Sequence, residues 1–536
     1  MKKSNSFLKG AAILGIAGGI VKILGAMYRL PLSNIIKSEG MGYYQTAYPL
    51  YILLLTISTA GFPIAIAKLV SERRAIGDYR SAHKVFKVAL IGLLITGIGT
   101  SVFVFFGADF IVESLDNPNA YYALIALVPA LLFVPIMATF RGFFQGSQTM
   151  GPTALSQIVE QLFRVVSGLF LTYYLLDRGI PMAAGGASFG GSVGAIAGTL
   201  TMGFIYFYRR KSIFYEVENS IFIEEYSVKA IVKDLLVIAI PITLGAAIVP
   251  IMDTIDVSIV LKRLQFIGYS EAEANGLYGN LKGMAQTLIN LPQVFSIAIA
   301  MSLVPAIADA KARKNKKEMD KIISSGIRVT LLIGLPAAFG LFVLSRPIIQ
   351  LLYYKNPAAT IINVGALLKT LAPGVIFLTL VQALSAILQG LGKPLIPAIN
   401  LFIGAAIKVI LSYVLTAMPN INIHGAAIST VVAFGIAAFL DLIFVIKYSK
   451  VRLSFRNIFF KPLLSALGMS VFAWLSYNLL INLLGNRFVT IIAIGIGALI
   501  YIILLIITGS ITSGDLSLIP RGEKIGEKLE KFNLMK

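Results

Sequence analysis

The chain has 536 residues, of which 57% are hydrophobic and 13% are charged. Because a soluble domain carries about 25% charged residues, this composition excludes an ordinary water-soluble fold and predicts a membrane protein. The chain has no cysteine and two histidines, which excludes a disulfide framework and leaves little material for a metal centre. We therefore expect no metal site and no bound cofactor.

In chain order, the sequence contains fourteen apolar runs, each long enough to cross a hydrocarbon core of about 30 Å. They cover residues 8–33, 43–70, 86–112, 120–144, 153–176, 184–208, 235–261, 274–304, 326–345, 361–388, 395–417, 424–446, 462–484 and 488–509. The first run contains Lys22 and Arg29 and lacks a small-x-small cleavage site, so we interpret it as an anchor rather than a cleaved signal peptide. The sequence predicts an all-α polytopic membrane protein.

The connections between these runs alternate in charge. Basic residues are concentrated near the N-terminus, in the segments 73–87, 209–233, 311–321 and 447–461, and in the C-terminal tail, whereas the intervening connections carry few. This is the positive-inside pattern, and it predicts that both termini lie in the cytoplasm. It also accounts for the net charge of +21 without nucleic-acid binding.

The chain contains an internal duplication. The segment that begins at Gln145 parallels the one that begins at Gln389, because each opens with Gln-Gly, has a proline seven or eight residues on and a base nineteen residues on, Arg164 or Lys408. A second pair begins at Pro63 and Ser296. We expect an N-terminal lobe, a cytoplasmic linker, a C-terminal lobe, two additional helices and a cytoplasmic tail, at residues 1–209, 210–234, 235–448, 449–509 and 510–536.

Ionisable residues inside the apolar runs are the candidate functional groups, because a charge at the bilayer centre costs about 2.5–3.5 kcal/mol even on lenient scales. The bases Lys22, Arg29, Arg164, Lys282 and Lys408 outnumber the deeply placed acids Glu160, Asp253 and Asp256. An excess of buried bases favours an anionic ligand. Lys282, Gln286 and Asn290 recur at helical spacing, as do Lys22 and Arg29, so we expect these side chains to line one cavity between the lobes.

Each of these residues also has a structural interpretation. Glu160 and Arg164 are four residues apart and could neutralise each other. The glutamine and asparagine side chains could instead join packed helices through hydrogen bonds. Asp253 and Asp256 share a helix face, and they could either bind a coupling Na⁺ or H⁺ or pair with bases of the cavity.

The chain has a family resemblance in its first segments and in the two Gln-Gly blocks. The first segments are Lys22-Ile-Leu-Gly25, Tyr28-Arg29-Leu-Pro31, Gly40-Met-Gly42 and Gly61-Phe-Pro63. The chain resembles the polysaccharide-biosynthesis exporters of the MOP superfamily, in the Gram-positive branch of stage V sporulation protein B and the MurJ-type lipid II flippases.

This resemblance implies two six-helix lobes around a cationic cavity in the bacterial cytoplasmic membrane. It implies that the cavity bases, including Lys22 and Arg29, bind the diphosphate and sugar of an undecaprenyl-linked precursor, and that the two extra helices form a groove for its lipid tail. The expected function is a flippase that works by alternating access, in contact with membrane lipids and as a monomer. A cation-coupled multidrug exporter of the MATE type is the alternative, and a membrane enzyme is disfavoured because no acidic metal-ligand set or catalytic loop is recognised.

Overall fold

The computed structural model describes residues 2–221 and 226–510, with side chains from residue 13 onward except at residue 16. Within these residues the chain is helical and has no β-strand. The predicted tail beyond Ser510 lies outside the described residues, as do residues 222–225 of the predicted linker.

Eighteen α-helices follow one another in the described chain. They are α1 (Lys2–Thr59), α2 (Phe62–Ala75), α3 (Tyr79–Ser114), α4 (Tyr121–Ile125), α5 (Val128–Gly146), α6 (Gly151–Leu175), α7 (Ile180–Glu218), α8 (Val228–Phe266), α9 (Glu271–Tyr278), α10 (Gln286–Ile289), α11 (Gln293–Ala312), α12 (Lys316–Val343), α13 (Ser345–Leu352), α14 (Ala358–Leu371), α15 (Gly374–Gly390), α16 (Leu395–Thr416), α17 (Ile423–Ser449) and α18 (Lys461–Ile507).

The number of membrane crossings agrees with the sequence. Eleven helical stretches of the described chain are long and apolar enough to cross a membrane, and the bent pair α14–α15 makes a twelfth. Two of the twelve contain a backbone break, at Lys37 in α1 (φ 58°, ψ −164°) and at Gly485 in α18 (φ 73°, ψ 160°). Dividing these helices at both breaks gives fourteen stretches, which is consistent with the number of predicted runs, and the helical architecture confirms the polytopic helical fold class.

The predicted run 274–304 is not one continuous helix. It consists of α9, a π-helical segment from Gly279 to Ala285, the single turn of α10 and then α11. Pro292 lies immediately before α11 and cannot donate a backbone hydrogen bond, which favours a break there. The regular spacing that we assumed for Lys282, Gln286 and Asn290 is therefore interrupted.

The chain forms two compact units, called unit 1 and unit 2 below. Unit 1 consists of the described residues within 1–265 and 269–279, and unit 2 of those within 266–268 and 280–536. Helix α8 thus belongs to unit 1. The lobe and linker boundaries that the sequence predicts near residues 209 and 235 stay a prediction.

Helices α6 and α7 pack closely against each other in unit 1. Small residues recur every four positions along α7, and a Cβ atom added at Gly190 would lie 2.6 Å from the carbonyl oxygen of Arg164. Such a stripe of small residues lets two backbones approach closely, which is how membrane helices gain packing energy without a hydrophobic driving force. The approach fixes the position of Arg164 relative to α7.

Unit 2 repeats contacts found in unit 1. Gly146 ends α5 and contacts α2, where an added Cβ would lie 2.7 Å from the carbonyl oxygen of Ala67. Gly390 ends α15 and contacts α11, where an added Cβ would lie 3.0 Å from the carbonyl oxygen of Val304. The two Gln-Gly blocks of the sequence therefore occupy equivalent places in the two units.

Candidate functional site

An ion cluster of three side chains lies between α5 and α6 in unit 1. Glu160 accepts a hydrogen bond from Arg141 at 2.9 Å and lies 3.6 Å from Arg164. Arg141 also donates to the hydroxyl of Ser156 at 3.0 Å. All three charged side chains are less than one fifth exposed. Two guanidinium groups share one carboxylate, so the cluster keeps a net positive charge.

Arg164 has donor capacity that the protein does not use. Its Nε atom is buried and has no hydrogen-bond partner among the described residues. A guanidinium group presents five donors in a planar fork that matches carboxylate and phosphate oxygens. Since Glu160 also contacts Arg141, part of the positive charge of Arg164 stays uncompensated.

Four tyrosines of α1 form an aromatic ladder beside this cluster. The ring of Tyr44 contacts that of Tyr28 edge to face at 6.4 Å and stacks on that of Tyr48 at 5.6 Å, and Tyr51 continues the ladder at 6.0 Å from Tyr48. Tyr44 lies near both Arg29 and Arg164. Tyr28, Tyr44 and Tyr51 are buried, whereas Tyr48 is half-buried and is the member of the ladder that a ligand could contact.

Helix α1 is held against α6 and α7 near the predicted bases. The hydroxyl of Tyr28 donates to the carbonyl oxygen of Ala187 at 2.9 Å, and an added Cβ at Gly25 would lie 3.5 Å from Gln161. Arg29 is half-buried, whereas Lys22 is exposed. Arg29 and Arg164 are thus brought to the same tyrosine ladder, whereas no contact of the described chain brings Lys22 to it.

The break in α1 at Lys37 leads into a polar junction with α9. Asn275 donates to the carbonyl oxygen of Glu39 at 2.7 Å, and Asn117 donates both to Asn275 at 2.8 Å and to Thr46 at 2.9 Å. Gly42 lies at the centre, where an added Cβ would be 2.2 Å from the carbonyl oxygen of Asn275. We call these residues the α1–α9 junction, and its hydrogen bonds join α1 to α9 within unit 1.

The predicted coupling acids lie on α8 in unit 1. Asp256 is 2% exposed and Asp253 is half-buried. The ion-binding role that the sequence predicts for these two acids stays a prediction.

The remaining predicted site residues belong to unit 2. Lys282 lies in the π-helical segment, Gln286 begins α10, Asn290 follows its last turn, and all three are half-buried. Lys408 is half-buried on α16. A π-helical turn inside a helix is a frequent feature of functional sites, and here it is fixed because Tyr353 donates to the carbonyl oxygen of Met284 at 3.2 Å.

Unit 2 also contains an apolar cavity of about 560 Å³. It is bounded by Leu291 and Pro292 before α11, by Leu341 of α12, and by Ala473 and Ala493 on the two halves of α18. No charged side chain lines it. A cavity of this kind accommodates hydrocarbon rather than a polar headgroup.

Two parts of the site were not predicted from the sequence. Arg141 was not among the predicted bases, although it lies within the predicted run 120–144. The tyrosine ladder was missed as well, and its signal is the spacing of Tyr44, Tyr48 and Tyr51 at four and three residues. The expectation that Glu160 and Arg164 neutralise each other is incomplete, because Arg141 makes the shorter contact.

Comparisons with known proteins agree on one family. The sequence pattern of the family described as Polysaccharide biosynthesis protein matches residues 7–311, and the MatE pattern matches residues 282–414. Stage V sporulation protein B of Bacillus subtilis is 30% identical, over 96% of this chain and 98% of that protein. Lipid II flippase MurJ of the same organism is 30% identical, over 87% of this chain and 88% of that protein.

The fold agrees with a solved structure. The inward closed conformation of a lipid II flippase MurJ superposes with a TM-score of 0.70 at 18% identity, covering 92% of this chain and 98% of that chain. The family pattern covers more than half of the sequence, and two relatives match nearly end to end. The chain belongs to the polysaccharide biosynthesis protein family.

Proposed function

We propose that this protein is a flippase that moves an undecaprenyl-diphosphate-linked cell-wall precursor, lipid II or a related lipid-linked glycan, across the cytoplasmic membrane. The observation that carries the proposal is the net positive cluster of Arg141, Glu160 and Arg164 beside the tyrosine ladder. The names of the relatives at 30% identity support the same class of substrate.

The chemistry of such a substrate matches both the charged cluster of unit 1 and the apolar cavity of unit 2. A diphosphate cannot cross hydrocarbon alone, because isolated ions in a medium of low dielectric cost tens of kcal/mol. Arg164 and Arg29 would replace its hydration with charge-assisted hydrogen bonds, and Tyr48 would contact the sugar. The apolar cavity beside α18 would receive part of the prenyl chain.

The transport cycle follows from the duplicated fold. Transporters built from parallel repeats bind substrate between the repeats and alternate their access to the two sides. We propose that Lys282, Gln286, Asn290 and Lys408 of unit 2 also bind the anionic substrate, and that both termini lie in the cytoplasm. Energy would come from the membrane potential, worth about 2.3 kcal/mol per charge per 100 mV, or from Na⁺ or H⁺ bound at Asp253 and Asp256.

A MATE-type multidrug exporter is the second candidate, because the MatE pattern matches part of unit 2. Carriers of organic cations need carboxylates in the binding site. The cluster in unit 1 instead has two guanidinium groups for one carboxylate. Its charge favours the anionic precursor.

Growth rescue tests the proposal. In cells depleted of their essential lipid II flippase, the wild-type protein should restore growth, whereas Arg29→Ala and Lys282→Ala should not, because each removes a base that we propose to bind the anionic substrate. Lys68→Ala is the matched control, since Lys68 is exposed on α2 and contacts Glu72. Protein levels are compared by immunoblot. A well-expressed wild type that leaves the cells unable to grow would contradict lipid II as the substrate.

A further inference from the structure

Unit 2 contains a buried carboxylate that takes part in none of the ion pairs described above. Asp441 is the only aspartate or glutamate between residues 321 and 510. It lies in the second half of α17 and is 1% exposed. A buried carboxylate is costly unless a cation or a proton neutralises it.

Three helices meet at this side chain. The amide of Asn400 on α16 donates to one carboxylate oxygen at 2.8 Å, and the hydroxyl of Ser385 on α15 donates to the other at 3.1 Å. Asn400 is also buried, at 2% exposed. Both partners are neutral, so neither cancels a charge on Asp441.

The basic and titratable groups on the neighbouring elements have other partners. Helix α15 has no charged residue. Three bases contact aromatic rings: Lys369 on α14, Lys393 in the turn before α16, and Lys447 on α17. The histidine of α17, His424, contacts a threonine. Lys408 of α16 is two turns from Asn400, about 12 Å along the helix axis. No ion pair joins Asp441 to a base within the described residues.

We propose that Asp441 is a proton-binding site of unit 2, and that its carboxyl group exchanges a proton during the working cycle. Protonation removes the uncompensated charge, whereas the two hydrogen bonds stabilise the anion that remains when the proton leaves. The site is therefore able to exist in both forms.

The ligand set fits a proton better than a metal ion. Both neighbours present N–H or O–H donors to the carboxylate, whereas a cation needs several oxygen acceptors directed at it. No group of three or more histidine, aspartate or glutamate side chains that could hold a metal ion occurs in the described part of the chain.

The burial of Asp441 also links proton exchange to helix movement. Because Asp441 is 1% exposed, proton exchange with water requires the packing of α15, α16 and α17 around it to loosen. The protonated and ionised forms would thus be favoured in different arrangements of these helices. This adds a second ionisable element to the proposed function, distinct from Asp253 and Asp256.

Infrared difference spectroscopy of the full-length protein in lipid nanodiscs tests the proposal without any transport substrate. Between about pH 5 and pH 9, where exposed carboxyl groups are already ionised, the wild type should lose a carboxylic-acid C=O band that shifts in D₂O. Asp441→Asn should lack that component. Asp309→Asn is the matched control, because Asp309 is exposed and paired with Arg313.

A second variant keeps the test decisive if Asp441→Asn does not fold. Ser385→Ala retains the carboxyl group and removes one donor, so the same band should move to higher frequency. Identical pH-difference spectra for wild type and Asp441→Asn would overturn the proposal. A band that follows exchange of NaCl for choline chloride at constant pH would assign Na⁺ to the site and would also overturn it. Neither outcome depends on which lipid the protein carries.

Discussion

Arg164→Ala should weaken the binding of lipid II to the purified protein by roughly 10- to 100-fold. Hydrogen bonds to charged groups contribute about 1.5–3 kcal/mol, and 1.4 kcal/mol is a factor of ten in affinity. The variant should fold, because Glu160 keeps its 2.9 Å contact with Arg141 and no carboxylate is left buried without a base. The cluster then becomes neutral and loses its attraction for a diphosphate.

Native mass spectrometry with added lipid II measures this change. Arg164→Lys should retain part of the affinity, since it preserves the charge but not the planar fork of donors. Lys68→Ala, which removes an exposed base outside the cluster, should bind as the wild type does. Equal affinity for wild type and Arg164→Ala would exclude the cluster as the anion site.

Gly42→Ala should destabilise the α1–α9 junction by about 1–3 kcal/mol, the usual cost of overpacking a tight contact. The added Cβ would lie 2.2 Å from the carbonyl oxygen of Asn275 and 2.5 Å from its side chain. Because the nearest atom belongs to the backbone, a change of rotamer cannot relieve the contact. Thermal unfolding in detergent measures the loss.

Two further variants separate this contact from general effects of glycine replacement. Gly92→Ala lies on α3, where nothing is within 4 Å of an added Cβ, and it should be neutral or slightly stabilising. Asn275→Ala in the Gly42→Ala background should not restore stability, because the carbonyl oxygen remains. Full recovery in the double variant would show that the side chain, and not the backbone, sets the contact.

The sequence predicted the membrane fold because its signals are local and repeated. Runs of apolar residues specify helices whose backbone groups must be satisfied internally, and the alternation of basic connections follows from one topology. The duplication was visible because the Gln-Gly blocks end equivalent helices, α5 and α15, which make the same kind of contact in each unit.

The contacts inside the site were harder to predict from the sequence. Arg141 meets Glu160 from a different helix, at a separation of nineteen residues that no helical periodicity encodes. The π-helical segment holding Lys282 alters the register, so spacing of four residues no longer indicates a shared face. Asp441 was overlooked because a single acid in an apolar run has no pattern, and its importance depends on the donors that α15 and α16 supply.

The most direct test of the proposed function is translocation in proteoliposomes that contain the purified protein and a fluorescent undecaprenyl-diphosphate glycan. A membrane-impermeant quencher added outside reports the fraction of label on the outer leaflet over time. We expect wild-type vesicles to equilibrate the label much faster than protein-free vesicles, and Arg164→Ala vesicles to approach the protein-free rate. Wild-type vesicles that move an organic cation but leave the glycan lipid at the protein-free rate would contradict the account.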